Sequence, residues 1–305
     1  MSKKRIVIAG GTGFIGSELV AEAFAQYSEV YVLTRKPKQR NDSAIEVEWT
    51  GQHMGEWIKV LEGADAIINL AGRSINCPHT PENIRELTES RVKSVRAIAI
   101  ALDHVKSPPP VWVQASALGF YGNSEDRICT ENTLNGINTL ADITRQWENA
   151  FNLAQPKKMP RKVLLRMGVV LGRKGGALPV LRRLTKCFLG GKAGNGRQYI
   201  SWIHIQDLTR MFFGSIDYEG LTGVFNAVAP NPVTNEQFMR EMRHTLHRPW
   251  SPPAPAWAVR RGARMMKTEP SLVLTGCRAI PKRLVEAGFQ FDLPEVGPAL
   301  KHLLQ

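Results

Sequence analysis

Short apolar runs alternate with longer amphipathic stretches through the first two-thirds of the chain. Each apolar run predicts a buried strand, at residues 5–9, 30–34, 45–49, 66–70, 111–115 and 163–170. Apolar residues recur at helical spacing between the runs, notably over residues 17–27, 81–105 and 137–154. Strands that alternate with helices are typical of an α/β protein with a mostly parallel sheet and crossover helices.

The pattern changes after residue 171. Two glycine-rich, basic stretches follow, at residues 172–176 and 190–197. Beyond them the pattern predicts strands at 198–203 and 224–228 and helices at 206–215, 235–247 and 294–304. The proline-rich segment 249–255 is predicted to be a connector.

The turn between the first strand and the first helix contains three glycines. Gly10 permits a tight turn, Gly13 lets the backbone approach a pyrophosphate, and Gly16 lets the helix pack closely on the strand. Phe14 and Ile15 lie in the same turn. An ordinary strand-to-helix turn does not need three glycines at these spacings, so the turn predicts a dinucleotide-binding site.

The predicted fold is therefore an α/β fold, a Rossmann-type doubly wound parallel sheet with a smaller C-terminal α/β lobe. We expect an NAD(P)-binding domain over residues 1–230, with substrate-lobe insertions after residue 171, and a small C-terminal domain over residues 231–305. A substrate is expected in the cleft between them.

Composition limits the class of protein. Of 305 residues, 43% are hydrophobic, which is enough for a sizeable core. The chain has no apolar run of about 18 residues and no signal-peptide pattern, so we expect a cytoplasmic protein without a membrane segment and without a membrane partner. The four cysteines are far apart in sequence and predict free thiols rather than a metal site.

The chain is strongly basic, with a net charge of +13. Part of the excess lies in residues 240–283, where basic residues greatly outnumber acidic ones. A solvated basic face is the favoured interpretation, and anion binding is the alternative. A nucleic-acid partner is disfavoured because no nucleic-acid motif accompanies the stretch.

Residues at the end of the second strand indicate which dinucleotide binds, and residues at the end of the strand predicted at 66–70 would lie beside it. The second strand ends at Thr34 and Arg35, where an NAD site usually has an acidic residue. Arg35 can pair with a 2′-phosphate instead, which favours NADP over NAD. Leu70, Ala71 and Gly72 end the next predicted strand of the sheet, and their small side chains would let the backbone pass beside the adenosine half.

These motifs resemble an extended or atypical short-chain dehydrogenase/reductase. More specifically, the chain resembles the NAD(P)-dependent epimerase-like family whose members carry a C-terminal domain of unknown function. The motifs that carry the resemblance are the glycine turn and residues 69–72, 90–92, 115–117, 147–148, 166–172, 196–205, 232–238, 281–283 and 288–291. The resemblance extends from end to end and implies cofactor contacts at Glu86, Arg91 and Val170.

Arg91 also stands out without the resemblance. It lies on the apolar stripe of the helix predicted at 81–105, and a charge on such a stripe needs a partner. A cofactor pyrophosphate or ribose would serve, with Glu86 to orient the arginine or to bind a hydroxyl. An internal pair between Arg91 and a carboxylate is the alternative.

The resemblance also implies a Ser, Tyr and Lys catalytic set, and this chain departs from it. Ser116 occupies the serine position, but Leu140 and Thr144 stand where Tyr and Lys are expected, so that helix is predicted to be structural. Tyr121 is the remaining candidate proton donor, with Ser116 as a second hydrogen-bond donor. Lining of the pocket is the equal alternative for Tyr121.

Three further residues are candidates for the site. His204 is predicted to be a buried structural histidine, bonded near Asp207, rather than a general base. Arg197 and Lys192 could hold an anionic small-molecule substrate, and a flexible, solvated loop is the alternative. Two hypotheses remain open, an NADP-dependent oxidoreductase or epimerase with a non-standard active site and a non-catalytic NADP(H)-binding sensor or scaffold.

Overall fold

A computed structural model describes residues 4–305 of the protein. Its strands are β1 (Arg5–Ala9), β2 (Glu29–Thr34), β3 (Ile45–Glu48), β4 (Ala66–Asn69), β5 (Val111–Ala117), β6 (Ile128–Cys129), β7 (Arg161–Met167), β8 (Val169–Leu171), β9 (Tyr199–Ile200), β10 (Trp202–His204), β11 (Gly223–Ala227), β12 (Val233–Thr234) and β13 (Arg278–Ala279). Its α-helices are α1 (Phe14–Ala23), α2 (Pro81–Leu102), α3 (Thr139–Leu153), α4 (Leu178–Lys186), α5 (Ile205–Asp217), α6 (Asn235–Thr245), α7 (Ala256–Met265), α8 (Ser271–Leu274), α9 (Lys282–Glu286) and α10 (Val296–Leu304).

Seven strands form one parallel sheet in the order β11-β7-β5-β4-β1-β2-β3. The winding direction reverses between β1 and β4, which places a crevice at their carboxyl ends. Helix α1 contacts α5, and α2 contacts α3. This architecture confirms the predicted Rossmann-type fold.

The sheet centre is buried on both faces. Every residue of β4 is buried, as are four of the five residues of β1. Parallel strands covered by helices on both sides need apolar residues at successive positions, which is why these strands appear in the sequence as apolar runs. The rings of Trp112 and Phe151 meet edge to face at 4.9 Å and join β5 to α3.

Two predicted strands are each divided in the structure. The run 163–170 breaks at Gly168, where a Cβ would lie 2.4 Å from the Ser201 carbonyl oxygen. β7 stays in the main sheet, whereas β8 pairs with β10. The run 198–203 breaks at Ser201, whose hydroxyl donates to the Cys277 carbonyl and accepts from the Ala279 amide, both at 2.8 Å.

The C-terminal part is mainly helical and has its own apolar cluster. Phe238 and Met242 of α6 pack there with Leu300 of α10 and Trp202 of β10. The short helices α7, α8 and α9 and the helix α4 were not predicted from the sequence. Within residues 4–305, no helix has the length and hydropathy needed to cross a membrane.

Candidate dinucleotide-binding site

The turn after β1 packs too closely for side chains. Gly10 has a φ of +81°, and a Cβ there would lie 3.1 Å from the Leu70 carbonyl carbon. A Cβ on Gly16 would lie 2.3 Å from the Gly10 carbonyl oxygen. Gly11, which the motif spacing does not single out, is equally confined because its Cβ would lie 2.8 Å from a Val32 methyl group. Glycine at these positions lets β1, β2 and α1 meet.

Gly13 is different because the protein's own packing does not require it. A Cβ there would meet nothing closer than the Gly10 carbonyl oxygen at 3.4 Å, an ordinary contact. Gly13 is the N-cap of α1, no side chain caps this helix, and its first turn has no acidic residue. Uncapped N–H groups at a helix start carry partial positive charge and bind phosphates. A pyrophosphate therefore fits this turn.

A second turn, at residues 70–72, lies beside the glycine turn. The Ala71 amide donates to Asn69 Oδ1 at 3.0 Å, and Asn69 Nδ2 donates to Gln114 Oε1 at 2.9 Å. Both amide side chains are fully buried. The sequence marks Asn69 only as part of a motif, and the structure shows that it fixes the backbone of Leu70, Ala71 and Gly72 at the crevice.

Arg91 of α2 projects toward this second turn. A Cβ on Gly72 would lie 3.2 Å from Arg91 Cγ, so glycine makes room for the arginine. Arg91 Nη1 donates to the Leu87 carbonyl at 2.9 Å, and the guanidinium lies 5.1 Å from the centre of the Trp147 ring. Burial lowers the pKa of Arg91 to about 10. Within residues 4–305 Arg91 forms no ion pair with a carboxylate, which excludes the internal pair considered above.

Glu86 does not orient Arg91. Its carboxylate forms an ion pair with Arg73 instead, and both side chains are substantially exposed. The expectation that Glu86 orients Arg91 is wrong, because the 73–80 loop brings a nearer cation to the carboxylate. A contact between Glu86 and a cofactor hydroxyl stays a prediction.

The carboxyl end of β2 presents free cations. Thr34 is half-buried, while Arg35 and Lys36 are exposed and make no ion pair in the part of the chain that the structure describes. Arg40, by contrast, is held by Asp42 at 2.6 Å. The loop therefore contains both neutralised and unneutralised positive charge, and Arg35 is the unneutralised cation nearest the strand end.

The loop at residues 172–176 covers the first turn of α1. A Cβ on Gly175 would lie 2.4 Å from Phe14 Cγ, and one on Gly172 would lie 2.5 Å from Phe14 Cζ. A Cβ on Gly176 would lie 2.9 Å from the Val170 carbonyl oxygen. The loop thus brings Val170, which belongs to β8 rather than to the main sheet, close to the glycine turn.

Ser116 belongs to a buried ionic network. Its hydroxyl donates to Glu148 Oε1 at 2.6 Å. The same carboxylate accepts from Arg166 through both oxygens, at 2.9 and 2.7 Å, and both side chains are about 5% exposed or less. A bidentate pair satisfies a buried arginine well. Glu148 and Arg166 appear in the sequence only within longer motifs, and the structure shows that they engage the Ser116 hydroxyl.

Tyr121 lies on the other side of this network. Its hydroxyl lies 2.7 Å from Asn226 Oδ1 and 2.9 Å from the Thr130 carbonyl, and it accepts from Arg166 Nη1 at 2.9 Å. The side chain is 0% exposed. Burial raises the pKa of Tyr121 to about 12. The structure therefore has the phenol inside the protein rather than in the open crevice, and its catalytic role stays a prediction.

Helix α3 packs closely at the positions expected for Tyr and Lys. A Cβ on Gly119 would lie 3.2 Å from Thr144 Oγ1 and 3.4 Å from Leu140 Cβ. The Thr144 hydroxyl donates to the Leu140 carbonyl at 2.7 Å within the helix. These two residues pack against the turn that follows β5 and offer no group that can transfer a proton.

His204 has a structural role. Its Nδ1 accepts from the Gln206 amide at 3.1 Å and so caps α5, while its Nε2 lies 3.1 Å from His302 Nδ1. Burial lowers the pKa of His204 to about 4. The expected neighbour Asp207 instead accepts backbone hydrogen bonds, one of them from Leu293 at 3.1 Å.

The two cations of the 190–197 loop differ in their partners. Lys192 Nζ pairs with Glu236 at 3.0 Å, whereas the Arg197 side chain is exposed and forms no ion pair among the described residues. Within residues 4–305, no group of three or more His, Cys, Asp or Glu residues is arranged to hold a metal ion.

Two family models match the chain. One, described as the NAD dependent epimerase/dehydratase family, matches residues 6–226, and another, described as a domain of unknown function (DUF1731), matches residues 254–303. An epimerase family protein SDR39U1 homolog, chloroplastic, from Arabidopsis thaliana is 32% identical over 309 residues, covering 100% of this chain and 88% of that protein. Epimerase family protein YfhF of Bacillus subtilis is 32% identical over 301 residues, covering 98% and 97%.

Solved structures give the same result. Human epimerase family protein SDR39U1 (isoform 2), crystallised with NADPH, is 31% identical and superposes with a TM-score of 0.86 over 98% of both chains. A nucleoside-diphosphate sugar epimerase from Corynebacterium glutamicum is 31% identical, with a TM-score of 0.79 over 99% of this chain and 58% of that chain. The glycine turn, the crevice and these matches agree, and the chain is an NAD(P)-binding member of the NAD dependent epimerase/dehydratase family with a C-terminal DUF1731 region.

Proposed function

We propose that the protein binds NADP(H) in the crevice between the glycine turn, the turn at residues 70–72 and Arg91. Arg91 is the observation that carries the proposal, because its guanidinium is largely withdrawn from water without a carboxylate partner among the described residues. Buried charges are normally paired or fully hydrogen-bonded. A phosphate or ribose oxygen of a dinucleotide is an acceptor that fits this environment, next to a helix start that is itself suited to phosphate.

The preference for NADP(H) over NAD(H) rests on Arg35. Its planar guanidinium lies at the end of β2 without an ion pair, where it can form charge-assisted hydrogen bonds with a 2′-phosphate. Lys36 adds a second positive charge. The human relative that was crystallised with NADPH supports this assignment.

The favoured role is that of a non-catalytic NADP(H)-binding sensor or scaffold protein. Such a role needs no Tyr–Lys pair for proton transfer. Only in an enzyme would a bound nicotinamide supply hydride exchange. The hydroxyls of Ser116 and Tyr121 form hydrogen bonds with buried side chains of the protein. Leu140 and Thr144 pack against the turn at Gly119. We therefore interpret the Ser116–Glu148 network as one that positions β5 and α3 under the crevice.

The second candidate is an NADP(H)-dependent oxidoreductase or epimerase with a small-molecule substrate. It is favoured by the position of Ser116 near the carboxyl end of β5 and by the name of the Corynebacterium glutamicum structure, a nucleoside-diphosphate sugar epimerase. In that case Ser116 and Tyr121 would polarise a carbonyl or hydroxyl group. The exposed Arg197 would attract an anionic substrate.

Calorimetric titration with NADPH and NADH tests the binding proposal. We expect NADPH to bind about 10- to 100-fold more tightly than NADH, the effect of one or two hydrogen bonds to a charged group. Arg35→Ala should bring the two affinities close together, while Lys38→Ala, at another exposed cation of the loop, should preserve their ratio. An Arg35→Ala variant that keeps the full preference refutes the role of Arg35.

Turnover separates the two candidates. NADPH oxidation is followed against a panel of carbonyl compounds. For a panel of nucleotide sugars the isomers formed are separated by chromatography, because an epimerase returns the hydride and causes no net oxidation of the cofactor. Turnover that is lost in Tyr121→Phe and Ser116→Ala but kept in Leu140→Ala supports the enzyme. Tight NADPH binding without turnover of any compound supports the sensor or scaffold.

A further inference from the structure

Large apolar side chains are exposed together beyond the end of α4. Phe188 is 50% exposed, Leu189 58% and Trp250 67%. The segment around Trp250 lies alongside the α4 end, because the Arg248 guanidinium sits 5.0 Å from the Phe188 ring centre and Arg248 Nε donates to the Lys186 carbonyl at 3.3 Å. Adjacent exposed apolar residues of this size mark interaction sites on soluble domains.

Phe188 adopts a left-handed backbone conformation at the end of α4. Its φ is +60°, in the left-handed region where glycine or asparagine is the usual residue after a helix. The amide of Phe188 donates to the Thr185 carbonyl at 3.1 Å, and the Leu189 amide donates to the Leu184 carbonyl at 2.9 Å. The turn thus closes α4 with a bulky aromatic residue that remains half exposed, and such outliers concentrate at functional sites.

Positive charge surrounds these apolar residues. Arg182, Arg183 and Lys186 of α4 are exposed, and none of them forms an ion pair within residues 4–305. The sequence has no Asp or Glu at residues 149–206 or at residues 242–268. The end of α4 and the segment around Trp250 lie within these two stretches without acidic residues. Neither stretch therefore has a carboxylate of its own to neutralise its positive charge.

Helix α7, shortly after Trp250, repeats the same combination. Trp257 is 69% exposed. Arg261 and Arg264 follow it at i+4 and i+7, so all three share one face of the helix. Both arginines are exposed and have no ion pair in the described part of the chain.

We propose that this basic–apolar face, defined by Arg182, Arg183, Phe188, Leu189 and Trp250, docks on the surface of an anionic phospholipid membrane. Aromatic and aliphatic side chains would enter the boundary between headgroups and acyl chains, and the cations would meet lipid phosphates. Nucleic acid fits less well, because an exposed leucine offers no stacking surface for a base. The expectation of no membrane contact rested on long apolar runs, and a peripheral contact does not require one.

Co-sedimentation of the purified full-length protein with lipid vesicles tests the proposal. We expect binding to vesicles of phosphatidylcholine mixed with phosphatidylglycerol, no binding to phosphatidylcholine alone, and release as the salt concentration rises. Arg182→Ala should lower the partition coefficient about fivefold, the effect of one cation at an anionic surface. The matched control Lys106→Ala, at an exposed lysine between α2 and β5, should not change it.

A substitution of an exposed apolar residue tests insertion into the membrane separately from charge. Phe188→Asn should lower the partition coefficient about tenfold, because the ring no longer leaves water. Asparagine tolerates the left-handed backbone, so the fold should be retained, which the thermal unfolding midpoint checks. Leu134→Asn is the matched control at another exposed apolar residue.

Three results would overturn the proposal. They are equal binding to neutral and anionic vesicles, binding that Phe188→Asn leaves unchanged, and tight binding to an oligonucleotide without any binding to anionic vesicles.

Discussion

Replacing Arg91 with methionine should stabilise the protein without cofactor, contrary to the usual effect of a substitution at a buried position. Burial lowers the pKa of Arg91 from its usual value to about 10, which corresponds to about 3 kcal/mol of unfavourable charge burial. Loss of the hydrogen bond to Leu87 costs about 1 kcal/mol, and loss of the stack on Trp147 costs about 1 kcal/mol. The net expectation is a gain of about 1 kcal/mol, because methionine keeps most of the volume and removes the charge.

The same variant should bind NADPH more weakly. One hydrogen bond to a charged group contributes about 1.5–3 kcal/mol, so we expect the dissociation constant to rise about 10- to 100-fold. Thermal unfolding with and without NADPH measures both effects. Without NADPH the midpoint of Arg91→Met should lie about 2 °C above that of the wild type, and with NADPH it should rise much less than that of the wild type.

Arg96→Met is the matched control, because Arg96 lies on the same helix but is exposed and unpaired among the described residues. It should leave both the unfolding midpoint and the NADPH response close to the wild type. The reasoning is refuted if Arg91→Met destabilises the protein without cofactor and still shows the full wild-type response to NADPH.

Three further changes have directions set by the structure. Gly175→Ala should lower the free energy of unfolding by about 1–3 kcal/mol in urea titrations, because its Cβ would lie 2.4 Å from an aromatic carbon of Phe14 in α1. The control Gly214→Ala should raise the same free energy by about 1 kcal/mol, because its Cβ would have no atom within 4 Å. Glu148→Gln should cost about 3–5 kcal/mol by the same measurement, because it leaves Arg166 buried without a countercharge. Buried His204 has a pKa of about 4 against about 6.5 when unfolded, so the unfolded chain takes up the proton first and stability falls as the pH drops from about 6.5 to 4. His204→Asn, which keeps a capping side chain, should remove up to about 3 kcal/mol of that pH dependence in unfolding titrations.

Each of these has a result that contradicts it. Equal stability of Gly175→Ala and the wild type would mean that the 172–176 loop does not pack on α1. A Glu148→Gln variant as stable as the wild type would mean that the Arg166 charge is satisfied elsewhere. Identical pH profiles for the wild type and His204→Asn would mean that His204 does not titrate in this range.

The glycine turn could be predicted because its requirements are local. A strand, three glycines and a helix lie within a few residues of one another, and the close contact of Gly16 with the Gly10 carbonyl follows from that connection alone. The position of Arg91 on an apolar stripe is also visible in the sequence, but the sequence left an internal pair with a carboxylate as an alternative. Gly11 was not singled out, because its contact with Val32 depends on how β1 and β2 pair.

Side-chain direction at the end of β5 could not be predicted. The sequence gives the position of Tyr121 after a strand, which suggests an open edge. A short 3₁₀ turn over residues 118–121 rotates the phenol inward, to acceptors supplied by Thr130 and by Asn226 of β11. These partners are separated from Tyr121 by up to 105 residues, so no local pattern reveals them.

The two divided strands and the pairing of Glu86 with Arg73 could not be predicted, because both depend on contacts between residues that are far apart in sequence. Gly168 ends β7 because the backbone of Ser201 approaches it, and Ser201 is itself held by the C-terminal segment. Arg73 reaches Glu86 from a loop whose course does not follow from periodicity. Long-range contacts of this kind override the local apolar pattern.

A crystal structure of the protein with NADPH would show directly where the cofactor binds. We expect the pyrophosphate at the start of α1 beside Gly13, the 2′-phosphate within hydrogen-bond distance of Arg35, and a cofactor oxygen bonded to the Arg91 guanidinium. A structure in which NADPH is bound away from the start of α1, or in which Arg91 contacts no part of it, would contradict the account.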